Sequence, residues 1–119
     1  MPPSAVPDGF GITSVDGLTV VTTPEEIDMT NAELLRAALV AARTSSSAVV
    51  VVDMSSTEYC DSTGLNTLVR AQKKVSDDGG ELRLVVRTSA VQRMLAVTGV
   101  EKLFGVYPTL TGALHGVSS

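Results

Sequence analysis

The run from Val49 to Asp53, VVVVD, constrains the fold of this chain more than any other stretch. Four consecutive β-branched residues favour a strand and leave it without a polar face. Such a strand must be covered on both sides, which is typical of the inner strands of parallel or mixed sheets that carry helices. The run therefore predicts an α/β protein with this strand inside its sheet.

The segments around this strand alternate between strand-like and helical periodicity. Two short β-like runs flank Asp16-Gly17, a dipeptide that favours a hairpin because both central turn residues need positive φ. The predicted order is β-β-α-β-α-β-α-β-α, a mixed β-sheet with helices packed on it. We expect one domain over residues 10–117, with residues 1–9 as a loose lead-in.

Four helices are predicted from apolar residues at helical spacing. Thr30 or Asn31 is expected to cap the first helix and Ser89 the third. The second should begin near Ser62 and end where Gly79 or Gly80 adopts a left-handed conformation. The predicted inward face of the first helix is Leu35, Ala38, Leu39 and Ala42. That of the third is Val91, Met94 and Leu95, and that of the fourth is Leu110, Ala113, Leu114 and Val117.

Composition argues against several function classes. The net charge is −4 without a basic stripe, so neither nucleic acid nor an anionic membrane is an expected partner. There is no transmembrane-length apolar run and no signal-peptide pattern, so we expect a cytoplasmic protein. A single cysteine, Cys60, and a single histidine, His115, argue against an intrachain disulfide and a multi-His or cysteine-based metal site. No cofactor is expected, because no nucleotide-binding glycine loop occurs.

Between the buried strand and the second helix lies Asp61-Ser62-Thr63-Gly64. One interpretation is a cap in which Asp61 or Ser62 binds free N–H groups of the helix. The other is functional, because open α/β sheets present their sites beyond the carboxyl ends of strands. A phosphate on Ser62 would meet helix N–H groups and add about −1.5 to −2 of charge beside Asp61. The pattern alone leaves both interpretations open.

Other acidic residues near the strand ends have two interpretations each. An Asp that ends a buried strand also occurs in two-component receiver domains, but no Lys follows the last strand here, so we expect Asp53 to bond its own loop. Glu25, Glu26 and Asp28 precede the first helix. They are either favourable charges at its N-terminus or an acidic lip that faces a basic partner.

Four segments together resemble the anti-sigma factor antagonists, which are single STAS domains. They occur in the family's order and spacing over about residues 10–116, and the resemblance implies a STAS-domain sandwich and a binding protein rather than an enzyme. The segments are VVVVDMSSTEYCDSTGLNTLV, Glu26-Ile27-Asp28, GELRLVV and MLAVTGVEKLFGVYPTLTGAL.

The resemblance also implies a mechanism. In that family, the unphosphorylated antagonist binds an anti-sigma factor, a histidine-kinase-like serine kinase, and so frees a sigma factor. The kinase phosphorylates the serine of the motif, here Ser62, which breaks the complex until a phosphatase restores it. By the same match, Asp28, Asp61, Thr63 and Gly64 surround Ser62 in the docking surface.

The chain departs from the family pattern at three positions, and two other functions stay open. Glu25 and Asn66 stand where glycine is often found, and Cys60 replaces a large apolar residue. The first alternative is a STAS subunit of a larger signalling scaffold or a transport-associated complex. The second is an enzyme, either a hydrolase using Ser62 or a phosphoryl acceptor at Asp53. The small number of candidate catalytic residues in the sequence argues against it.

Overall fold

A computed structural model of the chain describes residues 10–43 and 48–116. The predicted lead-in over residues 1–9 and the predicted inward residue Val117 therefore lie outside the described residues. The strands are β1 (Gly11–Val15), β2 (Leu18–Thr22), β3 (Glu26–Ile27), β4 (Val49–Asp53), β5 (Tyr59–Cys60), β6 (Glu81–Val85) and β7 (Gly105–Tyr107). The helices are α1 (Ala32–Arg43), α2 (Ser62–Asp77), α3 (Ser89–Thr98) and α4 (Leu110–His115), and a 3₁₀ helix spans Val100–Leu103.

The main sheet has five strands in the order β1-β2-β4-β6-β7. β1 is antiparallel to β2, and all the other neighbours are parallel. β4 is the middle strand, and its residues Val51 and Val52 have no exposed surface (0%). The mixed sheet and the doubly covered inner strand predicted from the valine run are both confirmed.

The β1–β2 connection is the predicted two-residue hairpin. Asp16 and Gly17 have φ angles of 52° and 82°, which is the left-handed pair that a type I′ turn requires. This turn lies at the amino-terminal edge of the parallel strands, because β2 begins directly after it.

Helices cover both faces of the sheet, unequally. α1, α2 and α3 pack on one face, and α4 packs on the other. The first core includes Leu35, Leu39, Val50, Val52, Leu68, Leu82, Leu84 and Leu95. The second and smaller core contains Val20, Val51, Val85 and Ala113. The alternation along β4 explains this division, since Val50 and Val52 point to one face and Val51 to the other.

The helix ends are mostly as predicted. Gly79 follows the C-cap of α2 with φ 81°, and Gly99 ends α3 with φ 74°. The Asn31 side chain accepts from the Asp28 N–H at 2.9 Å and donates to the Glu26 carbonyl at 2.8 Å. These bonds point back into the loop that leads into α1, and the Thr30 hydroxyl donates to Asp28, so the side-chain cap predicted at Thr30 or Asn31 is wrong.

The predicted Ser89 cap is wrong. Ser89 is the first residue of α3, and Thr88 stands at the N-cap position without a side-chain capping bond. The Thr88 hydroxyl donates instead to the Thr57 carbonyl at 2.7 Å. A tertiary hydrogen bond has thus replaced the local cap that the sequence favours.

Truncation of one core leucine should separate buried from exposed packing. Leu84→Ala, at a position with 0% exposure, should lower the free energy of unfolding by about 2–5 kcal/mol, because it removes apolar contacts and leaves a cavity. The matched change Leu103→Ala, at a side chain 48% exposed, should cost about 1 kcal/mol or less. Urea unfolding measures both, and equal losses would contradict the core described above.

Candidate functional site

A small second sheet joins two loops at the carboxyl edge of the main sheet. β3 and β5 pair in parallel, with Ile27 opposite Cys60. The Asp61 N–H extends this ladder by donating to the Ile27 carbonyl at 3.0 Å. Because Asp28 and Ser62 each follow a partner of that hydrogen bond, the loop before α1 and the start of α2 lie side by side.

The start of α2 is capped by Asp61, as one interpretation of the motif predicted. Asp61 has extended backbone angles, φ −84° and ψ −178°, and its carboxylate accepts from the Gly64 N–H at 3.0 Å. With Asp61 as the cap, Ser62 becomes the first residue of the helix and is exposed. Its hydroxyl makes no hydrogen bond within the described part of the chain, and it lies at the positive end of the helix dipole.

Gly64 has a packing role that the motif alone does not indicate. A Cβ atom at this position would lie 2.5 Å from Cγ2 of Ile27 and 3.0 Å from Sγ of Cys60. Glycine therefore lets α2 begin in direct contact with β3. Gly64 is buried, whereas its neighbour Thr63 is exposed like Ser62.

Asp28 supplies a fixed negative charge beside this helix start. Its Oδ1 accepts from the Thr30 hydroxyl and, at 2.9 Å, from the Thr30 N–H. These two bonds, with the hydroxyl contributing most, lower the pKa of Asp28 below its ordinary value. Asp28 is therefore ionised at neutral pH, and the exposed Glu25 and Glu26 add to the acidic character of the same loop.

Cys60 packs beneath this surface. Its side chain is 7% exposed, and its thiol lies 3.6 Å from the Asp61 carbonyl. Burial, with a smaller contribution from the Asp61 charge, raises the pKa of the thiol to about 12. A neutral thiol fits the narrow space beside Gly64.

Buried threonines hold the loop between β4 and β5. Thr57 is fully buried, and its hydroxyl lies 2.6 Å from both the Thr23 hydroxyl and the Pro24 carbonyl. Its own carbonyl accepts from Thr88, as described above. The sequence pattern did not identify these residues, since a threonine in a loop carries no periodic signal. Together they join β2, the loop before β5 and the start of α3.

Two exposed apolar side chains on this side of the molecule were also not predicted. Met29, directly after Asp28, is 76% exposed, and Tyr59, in β5, is 54% exposed. Large apolar side chains beside fixed charges are typical of protein-binding surfaces. Both residues lie close in the sequence to Asp28 or to the Asp61-Ser62-Thr63-Gly64 motif, and this closeness could have identified them.

The residues that an enzyme would need are far apart or already hydrogen-bonded. Oδ1 of Asp53 accepts from the Ser55 N–H at 3.0 Å, which confirms the predicted bond to its own loop. His115 lies in the last turn of α4, with Nε2 3.9 Å from the Asp16 carboxylate. Asp16 belongs to the hairpin at the amino-terminal edge of the strands, whereas Ser62 lies beyond their carboxyl ends. The single histidine of the chain thus lies at the opposite edge of the sheet from Ser62.

The described residues contain neither a membrane-spanning helix nor a metal-binding cluster. Over residues 10–43 and 48–116, no helix has the length and apolar character needed to cross a membrane. The same residues contain no group of three His, Cys, Asp or Glu side chains arranged to hold a metal ion.

The mixed sheet, the α2 motif and the paired β3 and β5 strands together define a family. The family model for the STAS domain matches residues 11–113, and the chain belongs to the STAS domain family.

Among its relatives of similar length, anti-sigma factor antagonists recur. The anti-sigma-F factor antagonist RsfB of Mycobacterium tuberculosis is 30% identical over 115 residues, which cover 95% of this chain and 93% of RsfB. The crystal structure of an anti-sigma factor antagonist from Mycobacterium paratuberculosis superimposes with a TM-score of 0.83 at 34% identity, covering 97% of this chain and 99% of that one. The resemblance inferred from the four sequence segments is thereby confirmed.

The fold also occurs inside a much larger protein. The murine anion transporter Slc26a9 matches with a TM-score of 0.69 and 21% identity. The match covers 87% of this chain but 18% of the transporter. At that identity, the likeness concerns the fold alone.

Adding one methyl group at Gly64 should destabilise the domain. Gly64→Ala should lower the free energy of unfolding by about 1–3 kcal/mol through overpacking against Ile27, although alanine favours a helix by about 1 kcal/mol. Ile27→Leu removes the β-branched methyl, so the Gly64→Ala cost should shrink in that background. A double-mutant cycle by urea unfolding measures this coupling, and a coupling of zero would contradict the contact.

The Cys60 thiol should react slowly in the folded protein. With its pKa raised from 9.0 to about 12, its thiolate fraction at pH 8 is lower by about a thousandfold, because each pKa unit is a factor of ten. The folded state also holds this proton more tightly than the unfolded state. The associated stability is present below pH 9 and decreases as the pH rises toward 12. A thiol-reactive dye should label urea-unfolded protein quickly and native protein slowly, and equal rates would contradict the burial of Cys60.

Proposed function

We propose that this protein antagonises an anti-sigma factor by binding it through the surface around Ser62, and that phosphorylation of Ser62 ends the binding. This Ser62 face consists of Asp28, Met29, Tyr59, Asp61, Ser62 and Thr63, with Gly64 beneath it. The observation that carries the proposal is the exposed, unbonded Ser62 hydroxyl at the start of α2, beside the carboxylates of Asp28 and Asp61. The close relationship to proteins named as anti-sigma factor antagonists supports the choice of partner.

In this proposal, the partner is itself the modifying enzyme. It is an anti-sigma factor of the histidine-kinase-like serine kinase type, and a phosphatase that acts on phospho-Ser62 reverses the modification. The kinase supplies Mg²⁺, ATP and the catalytic base, so the domain needs only to present the serine. Such a domain is a binding module without catalytic activity of its own, and it works with cytoplasmic partners rather than with nucleic acid or membranes.

The charges of the Ser62 face explain how a phosphate would end the binding. The added charge of about −1.5 to −2 falls beside Asp61 and next to the ionised Asp28. Helix N–H groups stabilise the phosphate itself, so the domain stays folded while its outer surface becomes more negative. A loss of about 3 kcal/mol of binding free energy would weaken the complex more than a hundredfold.

The exposed apolar side chains give this face its binding energy. Tyr59 and Met29 lie on the two loops that β3 and β5 join, and aromatic or sulfur-containing anchors of this kind dominate many interfaces. In the unmodified state, these anchors and the charges of Asp28 and Asp61 meet the partner together. Phosphorylation changes the charge and leaves the anchors in place.

The alternative function is a STAS subunit of a larger signalling scaffold or a transport-associated complex. The same fold occurs as one part of the much larger Slc26a9, so the fold is compatible with a place in such an assembly. Size-exclusion chromatography distinguishes the two functions, because a scaffold subunit elutes as a large homo-assembly and an antagonist does not.

A pair of aspartate substitutions should test the switch. In pull-downs from the protein's own cells, Ser62→Ala should retain the anti-sigma factor and Ser62→Asp should lose it by about a hundredfold or more. Thr111→Asp is the matched control, because Thr111 is an exposed residue in the first turn of α4 and receives the same charge on the opposite face of the sheet. If Ser62→Asp and Thr111→Asp bind the partner equally well, the proposed switch is wrong.

The modified residue is identified by mass spectrometry of the protein isolated from the same cells. The phosphate should be present in wild type and in Thr63→Val, and absent from Ser62→Ala. A phosphate on Thr63 in the wild-type protein would contradict the assignment of Ser62.

A further inference from the structure

A groove of about 110 Å³ lies between α1 and α2, on the helical side of the domain. Each helix contributes a stripe of side chains spaced three or four residues apart, so the groove runs along both helices. The stripe on α1 extends from Arg36 to Arg43, and the stripe on α2 extends from Thr67 to Lys74. The groove contains none of the residues of the Ser62 face.

The groove concentrates positive charge in an acidic protein. Arg36, Arg43, Arg70 and Lys74 line it, which is four of the nine Lys and Arg residues in a chain with a net charge of −4. A local cluster of this sign is a candidate anion site, because the rest of the surface does not favour anions.

Two of these four cations are already partnered at the ends of the groove. Nε of Arg36 donates to Glu33 at 2.8 Å, and Arg43 is paired with Asp78. Arg70 and Lys74 have no ion pair or side-chain hydrogen bond within residues 10–43 and 48–116. Nε of Arg43 is buried and has no acceptor in the same part of the chain. The groove therefore keeps uncompensated positive charge at Arg70 and Lys74.

The remaining lining is apolar. Leu39 is buried beneath the groove, and Val40 and Ala71 also line it. Val40 is one of the few large apolar side chains on the surface, 39% exposed. A ligand that combines an anionic group with a small hydrocarbon body would pair with the cations and cover this apolar surface at once.

The volume of the groove limits the size of that ligand. Pockets for drug-sized molecules begin at roughly 300 Å³, and an apolar cavity of about 150 Å³ in another protein accepts benzene. A groove of about 110 Å³ therefore suits one ring or a short aliphatic chain with a single anionic head.

We propose that the groove between α1 and α2 binds a small amphipathic carboxylate, held by Arg70 and Lys74 through its carboxylate and by Val40 and Ala71 through its hydrocarbon body. Arg43 adds positive charge at the end of α1. The site involves neither Ser62 nor a kinase. A negative result for this site would therefore not contradict the proposed function, and the reverse also holds.

An NMR titration tests the site directly. ¹⁵N-labelled full-length protein is titrated at constant ionic strength with benzoate, with the neutral analogue benzyl alcohol, and with inorganic phosphate. Benzoate should give saturable shift changes confined to residues 36–43 and 67–74, with a Kd in the millimolar range or tighter, and the other two probes should not.

Charge-matched variants separate the groove from general electrostatics. Arg70→Gln/Lys74→Gln should weaken benzoate binding about tenfold or more, because charge-assisted hydrogen bonds are lost. Lys73→Gln/Arg87→Gln removes the same charge at exposed positions outside the groove and should leave the binding unchanged. The single change Lys74→Gln, with an expected intermediate effect, replaces the double variant if the latter does not fold.

Four results would overturn the proposal. The first is the absence of saturable binding, and the second is equal binding of benzyl alcohol, which would make the groove purely apolar. The third is equal binding of phosphate, which would make it a general anion site. The fourth is a set of shifts in these residues that follows the protein concentration without ligand, since the occupant would then be a second copy of the chain.

Discussion

The parallel pairing of β4 between β2 and β6 determines the rest of this structure. Parallel neighbours can be connected only by crossovers, which here are α1 and α2, and the two apolar faces of β4 require cover on both sides. The same pairing sends the chain out of β4 at the carboxyl edge of the sheet. The loop that follows carries Tyr59, Asp61 and Ser62, so the position of the candidate site is a consequence of the central strand.

The two-residue strands β3 and β5 convert that edge into a defined surface. Without them, the loop before α1 and the loop before α2 would be neighbours without a fixed register. The pairing of Ile27 with Cys60, the Asp61–Ile27 hydrogen bond and the glycine contact at Gly64 set that register. Asp28 is thereby fixed beside Ser62, although the two residues are distant in the sequence. Thr57 holds the same loop from two sides, because its hydroxyl donates to the Pro24 carbonyl and its carbonyl accepts from the Thr88 hydroxyl at the start of α3.

The sequence predicted those parts of the fold whose signals are local. The valine run, the Asp16-Gly17 turn, the helical stripes and the Asp61 cap all depend on consecutive or periodically spaced residues. The structure confirms each of them over the residues that it describes, which leave out Val117 of the last stripe. β3 and β5 were not predicted, because two residues carry no periodicity and such strands exist only through their partner. The predicted Ser89 cap was wrong because Ser89 is already the first residue of α3. Thr88 holds the N-cap position, and its hydroxyl bonds a carbonyl that is distant in the sequence. The α1–α2 groove could not be predicted, since its charges meet only when the two helices pack together. The role proposed for Ser62 rests on the family resemblance, because the residues alone left this position undecided between a cap and a functional site.

The absence of a side chain at Gly64 has a mechanical consequence. Because α2 begins in direct contact with Ile27, its first turn has little room to slide or rotate against β3, and the Asp61 cap opposes withdrawal in the other direction. A modification at Ser62 would therefore alter the surface potential of an essentially rigid body. A partner would distinguish the phosphorylated from the unphosphorylated domain by its electrostatic potential rather than by its shape. Mobile ions weaken such a distinction, so the domain would discriminate best at low ionic strength.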